Sequence, residues 1–256
     1  MACKNGHIEV LEWFINSSEF IKFRYDEDAI VYASSHGHIQ VLEWFKNSRY
    51  NFKYNKEAIN EASRNGHIQV LEWFKNSSYE FKHNEDAIGG ASYNGHIQIL
   101  EWFKNSGYDF KYNEWAIDGA AKYGFIQVLE WFKNSDYEFK YTENAINDAS
   151  YSGHVEVLEW FKNSGYKFKY NKEAIKNASI NGHIQILEWF KKSGYKFKYN
   201  NWAIYYAFLY GNNNILKFYS YYINIKKLIK WSKTSYFIKT IKFKTHHKYL
   251  KGYQKN

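Results

Sequence analysis

The chain has 256 residues, is 45% hydrophobic and 21% aromatic, contains no proline and carries a formal net charge of +9. One cysteine, Cys3, excludes an internal disulfide and fits a reducing compartment. The N-terminus has no apolar leader, and no run approaches the ~20 apolar residues of a membrane helix, so the expected setting is intracellular and cytoplasmic. The net charge hides a division. All 26 acidic residues lie at or before Glu188, which leaves residues 1–188 at −6, while residues 189–256 hold 15 lysines and no acid.

One block, Gly-His-Ile-Gln-Val-Leu-Glu-Trp-Phe-Lys-Asn-Ser, recurs along the chain. Its glycine falls at Gly6, Gly37, Gly66, Gly95, Gly124, Gly153 and Gly182, with a decayed eighth copy at Gly211. The first step is 31 residues and the next six are 29. A fixed period of this size predicts a solenoid whose units pack only on their neighbours. The first copy starts at Met1, five residues before its glycine. The expectation there is a fraying end or a fragment of a longer array.

Within a unit, Asp26, Asn55, Asn84, Asn113, Thr142, Asn171 and Asn200 stand where a helix N-cap is needed. Ala87, Ile88 and Ala91 then mark one face of a first helix, with counterparts from Ala29, Ile30 and Ala33 to Ala203, Ile204 and Ala207. Gly95 ends that helix in the left-handed conformation. A second helix is predicted over about 97–105, with Ile99, Leu100 and Phe103 as its apolar stripe, Ile97 and Trp102 beside it, and Glu101 and Lys104 as a surface pair. Tyr108, Phe110 and Tyr112 alternate with polar residues, which predicts an extended connector with its aromatics folded under the helices.

These residues resemble the ankyrin repeat. Its unit runs Thr-Pro-Leu-His-Leu-Ala-Ala, then Gly-His, then Glu-Val-Val and a leucine triplet before a closing glycine. Ile88 stands at the first leucine, Ala91 and Ser92 at the alanine pair, Gly95 and His96 at Gly-His, and Gln98, Ile99 and Leu100 at Glu-Val-Val, with Gly107 closing the second helix. The resemblance covers residues 1–219. It departs in an alanine for the proline, Trp102-Phe103-Lys104 for the leucine triplet, and a unit four residues short where ankyrins project a β-hairpin finger. It implies an all-α, ankyrin-like α-solenoid of about seven 29-residue helix-turn-helix repeats with shortened loops. It further implies a monomeric protein–protein interaction module, without cofactor or catalysis, that binds through its inner, concave face. Aromatic-rich units of this type are similar to those of giant viruses of amoebae and of amoebae, which implies a viral protein in a host cell or a protein of the amoeba itself.

The repeated polar residues read as frame. His7, His38, His67, His96, His154 and His183 sit one unit apart, and stacked helices ~8–10 Å apart cannot share an ion at zinc–nitrogen distances of about 2.0–2.1 Å. Phe125 interrupts the series. Trp13, Trp44, Trp73, Trp102, Trp131, Trp160 and Trp189 form a second ladder, read as inter-repeat packing over base stacking because a row of glutamates runs beside it. That row offers no unique carboxylate pair, and no nucleophile triad, phosphate loop or cysteine cluster stands out. Gly89 and Gly90 fall inside a first helix at a cost of ~1 kcal/mol each, and mark a weak spot or a close contact.

Recognition is expected where copies differ. The first-helix pairs Val31-Tyr32, Asn60-Glu61, Gly89-Gly90, Asp118-Gly119, Asn147-Asp148 and Lys176-Asn177 vary, as does the residue two before the glycine. The partner-binding candidates are Tyr32, Glu61, Arg64, Tyr93, Trp115, Lys122, Asp148, Tyr151, Lys176, Ile180 and Trp202, with drift at unconstrained surface sites as the alternative. Residues 220–256 form a basic lysine and aromatic tail. Lys226, Lys227, Lys230, Lys242 and Lys244 are candidates for binding nucleic acid or an anionic membrane surface, or belong to a plain cap or an out-of-frame end. A decayed copy without a selected role is the third reading.

Overall fold

The computed structural model describes residues 1–17 and 24–222. Their sixteen helices form eight successive pairs. These are α1 (Ala2–Asn5) with α2 (Ile8–Asn16), α3 (Asp28–Ser35) with α4 (Ile39–Asn47), α5 (Glu57–Arg64) with α6 (Ile68–Asn76), and α7 (Glu85–Tyr93) with α8 (Ile97–Ser106). Then follow α9 (Glu114–Lys122) with α10 (Ile126–Asn134), α11 (Asn144–Ser152) with α12 (Val155–Asn163), α13 (Lys172–Ile180) with α14 (Ile184–Lys192), and α15 (Asn201–Leu209) with α16 (Asn213–Tyr222). No strand occurs among the described residues. The decayed eighth copy thus still folds as a pair.

A helix of eight or nine residues is marginal alone in water, so caps and stacking must hold each one. All seven expected caps close. Asn84 Oδ1 accepts the Asp86 N–H at 3.2 Å, and the side chains of Asp26, Asn55, Asn113, Thr142, Asn171 and Asn200 accept equivalent bonds. Each such cap contributes about 1 kcal/mol. Gly95 follows α7 at φ 76°, in the left-handed region. Ser106 ends α8 by donating to the Phe103 carbonyl at 2.8 Å and accepting the Tyr108 N–H at 3.1 Å, which explains the serine that closes the repeated block.

Stacking supplies the core. Ala87, Ile88, Ala91, Ile99, Leu100 and Phe103 are buried, as are most of their counterparts in the other units. A fully buried phenylalanine contributes about 1.5–3 kcal/mol, and one fills this position in every unit from Phe45 to Phe190. The alanines let the first helices pack closely on one another, while the second helices touch their neighbours sparingly. The stack therefore closes up on the first-helix side and opens on the other.

The connectors strap one unit to the next. Phe110 stacks on Tyr137 with centroids 4.0 Å apart and on Trp131 at 5.5 Å, and the Tyr112 hydroxyl donates to the Glu138 carbonyl. Burial pushes that hydroxyl up to about 12. The same stack recurs at Phe52, Phe81, Phe139 and Phe168.

Candidate partner-binding face

The fixed polar ladders are joints between units. Trp73 Nε1 donates to Glu43 of the preceding unit at 2.5 Å, Trp102 to Glu72 at 2.5 Å, Trp131 to Glu101 at 2.5 Å and Trp189 to Glu159 at 2.6 Å. The tryptophan and glutamate rows are therefore one ladder. This alters the expected Glu101–Lys104 surface pair, because Glu101 receives Trp131 and Lys104 lies over that ring, 5.9 Å from its centroid. The histidines reach back in the same sense. His67 Nε2 lies 3.0 Å from the Ser35 carbonyl, and its ring covers Gly37, where an added Cβ would sit 2.8 Å from Nδ1. Phe125 covers Gly95 in the same way without a polar ring atom. In the eighth unit Asn212 takes the histidine's place and donates to the Ser179 and Ile180 carbonyls. Burial lowers the proton affinity of His67 and His96. Among the described residues, no three His, Cys, Asp or Glu side chains are placed to hold a metal ion.

The varying positions divide into two sets, and one corrects the sequence reading. Asn60, Asp118 and Asn147, first members of their pairs, are buried. Each one holds the next unit's cap. Asn60 Nδ2 donates to Asn84 Oδ1 at 2.6 Å, Asp118 accepts the Thr142 N–H at 2.9 Å, and Asn147 accepts the Asn171 N–H at 3.4 Å. Burial raises the Asp118 carboxyl above its usual range. This register varies because different side chains satisfy one structural need. Lys176 shares it, half-buried, and pairs with Glu173 in its own helix.

The second set comes together on the first-helix side. Gly89 and Gly90 of α7 form a floor: an added Cβ at Gly89 would lie 2.2 Å from Trp115 Cε3, and one at Gly90 would lie 2.9 Å from Arg64 Cβ. At Gly119 of α9 it would lie 3.0 Å from the Tyr93 ring. Three bulky side chains thus rest where the helix surface has been cut to glycine. Arg64 lies over Trp115, 5.9 Å from its centroid, with its Nη1 3.3 Å from Glu61 and its enclosed Nε without a hydrogen-bond partner. Tyr93 meets Trp115 at 5.6 Å and Tyr123 edge-on at 4.4 Å, and the two phenols are hydrogen-bonded. Lys122 lies 5.6 Å from the Tyr123 ring. Asp148, half-buried, has its proton affinity raised by burial and lowered by Lys122.

Six of the candidates, Glu61, Arg64, Tyr93, Trp115, Lys122 and Asp148, therefore form one patch across α5, α7, α9 and α11. Tyr32 and Tyr151 flank it, 47% and 48% exposed. Ile180 and Lys176 lie further along the row on α13. Trp202 belongs to a separate aromatic strip on α15, where it stacks on Tyr206 at 5.8 Å and Tyr206 on Tyr210 at 6.2 Å. The tail lysines Lys226, Lys227, Lys230, Lys242 and Lys244 lie outside the described residues.

Tyr123 and the Tyr206–Tyr210 pair were missed from the sequence. The signal was present. Tyr123 stands where Asn94 and Asn181 clamp the preceding unit's carbonyls at 2.9 and 3.0 Å, and tyrosine cannot make that bond. A shallow groove of about 460 Å³ lies on the opposite, connector side, lined by Lys56, Phe81, His83 and Tyr108 among others.

Charge divides between the two sides of the stack. The first-helix segments of units two to six (26–36, 55–65, 84–94, 113–123 and 142–152) hold eleven acidic side chains and three basic ones, a net −8. The second-helix and connector segments of the same units (37–54, 66–83, 95–112, 124–141 and 153–170) net +2. Acids at helix starts complement the helix dipole, but Glu61, Asp118 and Asp148 lie beyond the first turn.

No family model matches the sequence, and no curated protein matches it. Solved structures do: 87 chains match. One is the human ASB11 ankyrin repeat domain, 15% identical, with a TM-score of 0.50 over 70% of this chain and 90% of that one. The similarity establishes the fold as an ankyrin-like α-solenoid.

Proposed function

We propose that this chain is a non-catalytic protein–protein interaction module that binds, as a monomer, through its first-helix face. An ankyrin-like scaffold fits that role in general. The observation that carries the reading here is the glycine floor. Each glycine inside a helix costs about 1 kcal/mol relative to alanine, and Gly89, Gly90 and Gly119 stand together beneath Arg64, Tyr93 and Trp115. The repeating frame requires none of these three bulky side chains, since other units stack without them. Arginine, tyrosine and tryptophan are the residue types that dominate binding energy at interfaces.

Capture from a cell lysate tests the reading. The intact chain and an Arg64→Ala, Tyr93→Ala, Trp115→Ala variant of equal helicity serve as paired baits, with quantitative mass spectrometry as the readout. The expected result is a set of proteins held by the first and lost from the second. Identical captures would sink the reading. A second reading rests on the acid-free segment 189–256 with its 15 lysines. It assigns nucleic acid or an anionic membrane to the tail, and predicts binding that falls steeply with salt.

A further inference from the structure

We infer that the occupant of the first-helix face is a Lys/Arg-rich segment of a partner protein, laid across α5, α7, α9 and α11. The inference rests on the face being the binding surface, and adds the chemistry of what binds.

Two observations point to a cationic ligand. The first is the field. A net −8 is gathered on the first-helix side of five units and is absent from the opposite side. Charge of one sign along a closed-up surface raises the local concentration of the opposite sign and speeds its arrival. A phosphate polymer is repelled by the same field. The second is the patch itself. Trp115, Tyr93 and Tyr123 form one aromatic cluster, which Arg64 joins to the Glu61 carboxylate and Lys122 joins to Asp148. Aromatic faces next to carboxylates suit guanidinium and ammonium groups, which bind ring faces within about 6 Å and carboxylates by charge-assisted hydrogen bonds. The chain already shows this preference internally. Arg64 packs on Trp115 and pairs with Glu61, and Lys122 packs on Tyr123. A partner's basic side chains extend the same arrangement outward to Glu57, Glu85, Asp86 and Glu114, which line the starts of α5, α7 and α9.

The experiment pans a phage-displayed library of random 12-residue peptides on the immobilised full chain. Fluorescence anisotropy then follows, with labelled (Gly-Arg)6, (Gly-Glu)6 and (Gly-Asn)6 as defined probes. The expected selection is rich in Lys and Arg and poor in Asp and Glu. (Gly-Arg)6 binds in low salt, weakens as salt rises, and outcompetes the other two probes. Trp115→Ala weakens the selected peptides about 30-fold, the loss of one hot-spot aromatic. Glu61→Gln with Asp148→Asn weakens them by roughly threefold or more. Peptides that lose binding with Trp115→Ala but carry no basic excess overturn the cationic assignment and leave the face reading standing. Basic peptides indifferent to Trp115→Ala overturn the face reading. An empty selection with flat (Gly-Arg)6 anisotropy overturns the assignment.

The chain's own tail is the competing occupant. It is separated by a full-length variant with Lys226, Lys227, Lys230, Lys242 and Lys244 replaced by Gln. Unchanged peptide affinity is the expected result. A tenfold gain would show that the chain's own segment fills the face, and would overturn the assignment to a partner.

Discussion

Replacing Gly89 with alanine sets two opposed effects against each other at one atom. Alanine is favoured over glycine inside a helix by about 1 kcal/mol, so on helix propensity alone the substitution stabilises α7. The new Cβ, however, would stand 2.2 Å from Trp115 Cε3 and 2.5 Å from Cζ3, where ordinary contact begins at 3.4 Å. The ring must move by more than an ångström, away from its place between Tyr93 and Arg64. Such overpacking costs about 1–3 kcal/mol, so the expected net effect is a destabilisation of about 1 kcal/mol. Removing the ring first reverses the sign. In a Trp115→Ala background, Gly89→Ala is expected to stabilise by about 1 kcal/mol, a coupling of roughly 2 kcal/mol across the cycle. Urea denaturation followed by far-ultraviolet circular dichroism measures all four corners. Equal stabilisation in both backgrounds would show that Trp115 does not rest on Gly89, and the glycine floor would lose its meaning.

Trp102→Phe removes the bond to Glu72 and is expected to cost about 1 kcal/mol, at the low end for a charged partner because Glu72 is exposed and rehydrates. Trp13→Phe, at a ring 55% exposed, is expected to cost less than about 0.5 kcal/mol in the same urea assay. Asp118→Asn keeps both contacts to Thr142 and removes a buried charge, since Asn60 and Asn147 fill this register elsewhere. It is expected to stabilise by about 1 kcal/mol at pH 7, with the gain shrinking as pH falls and the wild-type carboxyl protonates. His67 and His96 titrate below the ordinary histidine value because burial disfavours their charged form. The unfolded chain therefore binds protons first, so stability is full above about pH 6.5 and declines as pH falls below it. Thermal midpoints between pH 7 and 5 should fall less in a His67→Phe, His96→Phe chain, which copies the natural Phe125, than in the wild type.

The architecture was legible because it repeats. The cap, the Ala-Ile-Ala stripe and the left-handed glycine each read correctly from one unit, since each acts within that unit. What acts between units was harder to see. Trp102 and Glu101 are neighbours in sequence, but Trp102 bonds Glu72 and Glu101 bonds Trp131. The pairing depends on how far one unit is displaced against the next. Asn60 and Asp118 looked like surface variation because their side chains are polar and differ. Burial makes them structural, and the need to hold the next cap is met by either. Gly89 and Gly90 were read as a weak spot or a close contact. Only the positions of Trp115, 26 residues on from Gly89, and of Arg64, 26 residues back from Gly90, show that contact is the answer.

The most direct test of a binding face on the first-helix side is hydrogen–deuterium exchange of the full chain, with and without a saturating selected peptide. Bound peptide is expected to slow exchange in α5, α7, α9 and α11, and to leave α6, α8, α10 and the connectors unchanged. Protection confined to the second helices or the connectors would place the interface on the opposite side of the stack and contradict the assignment.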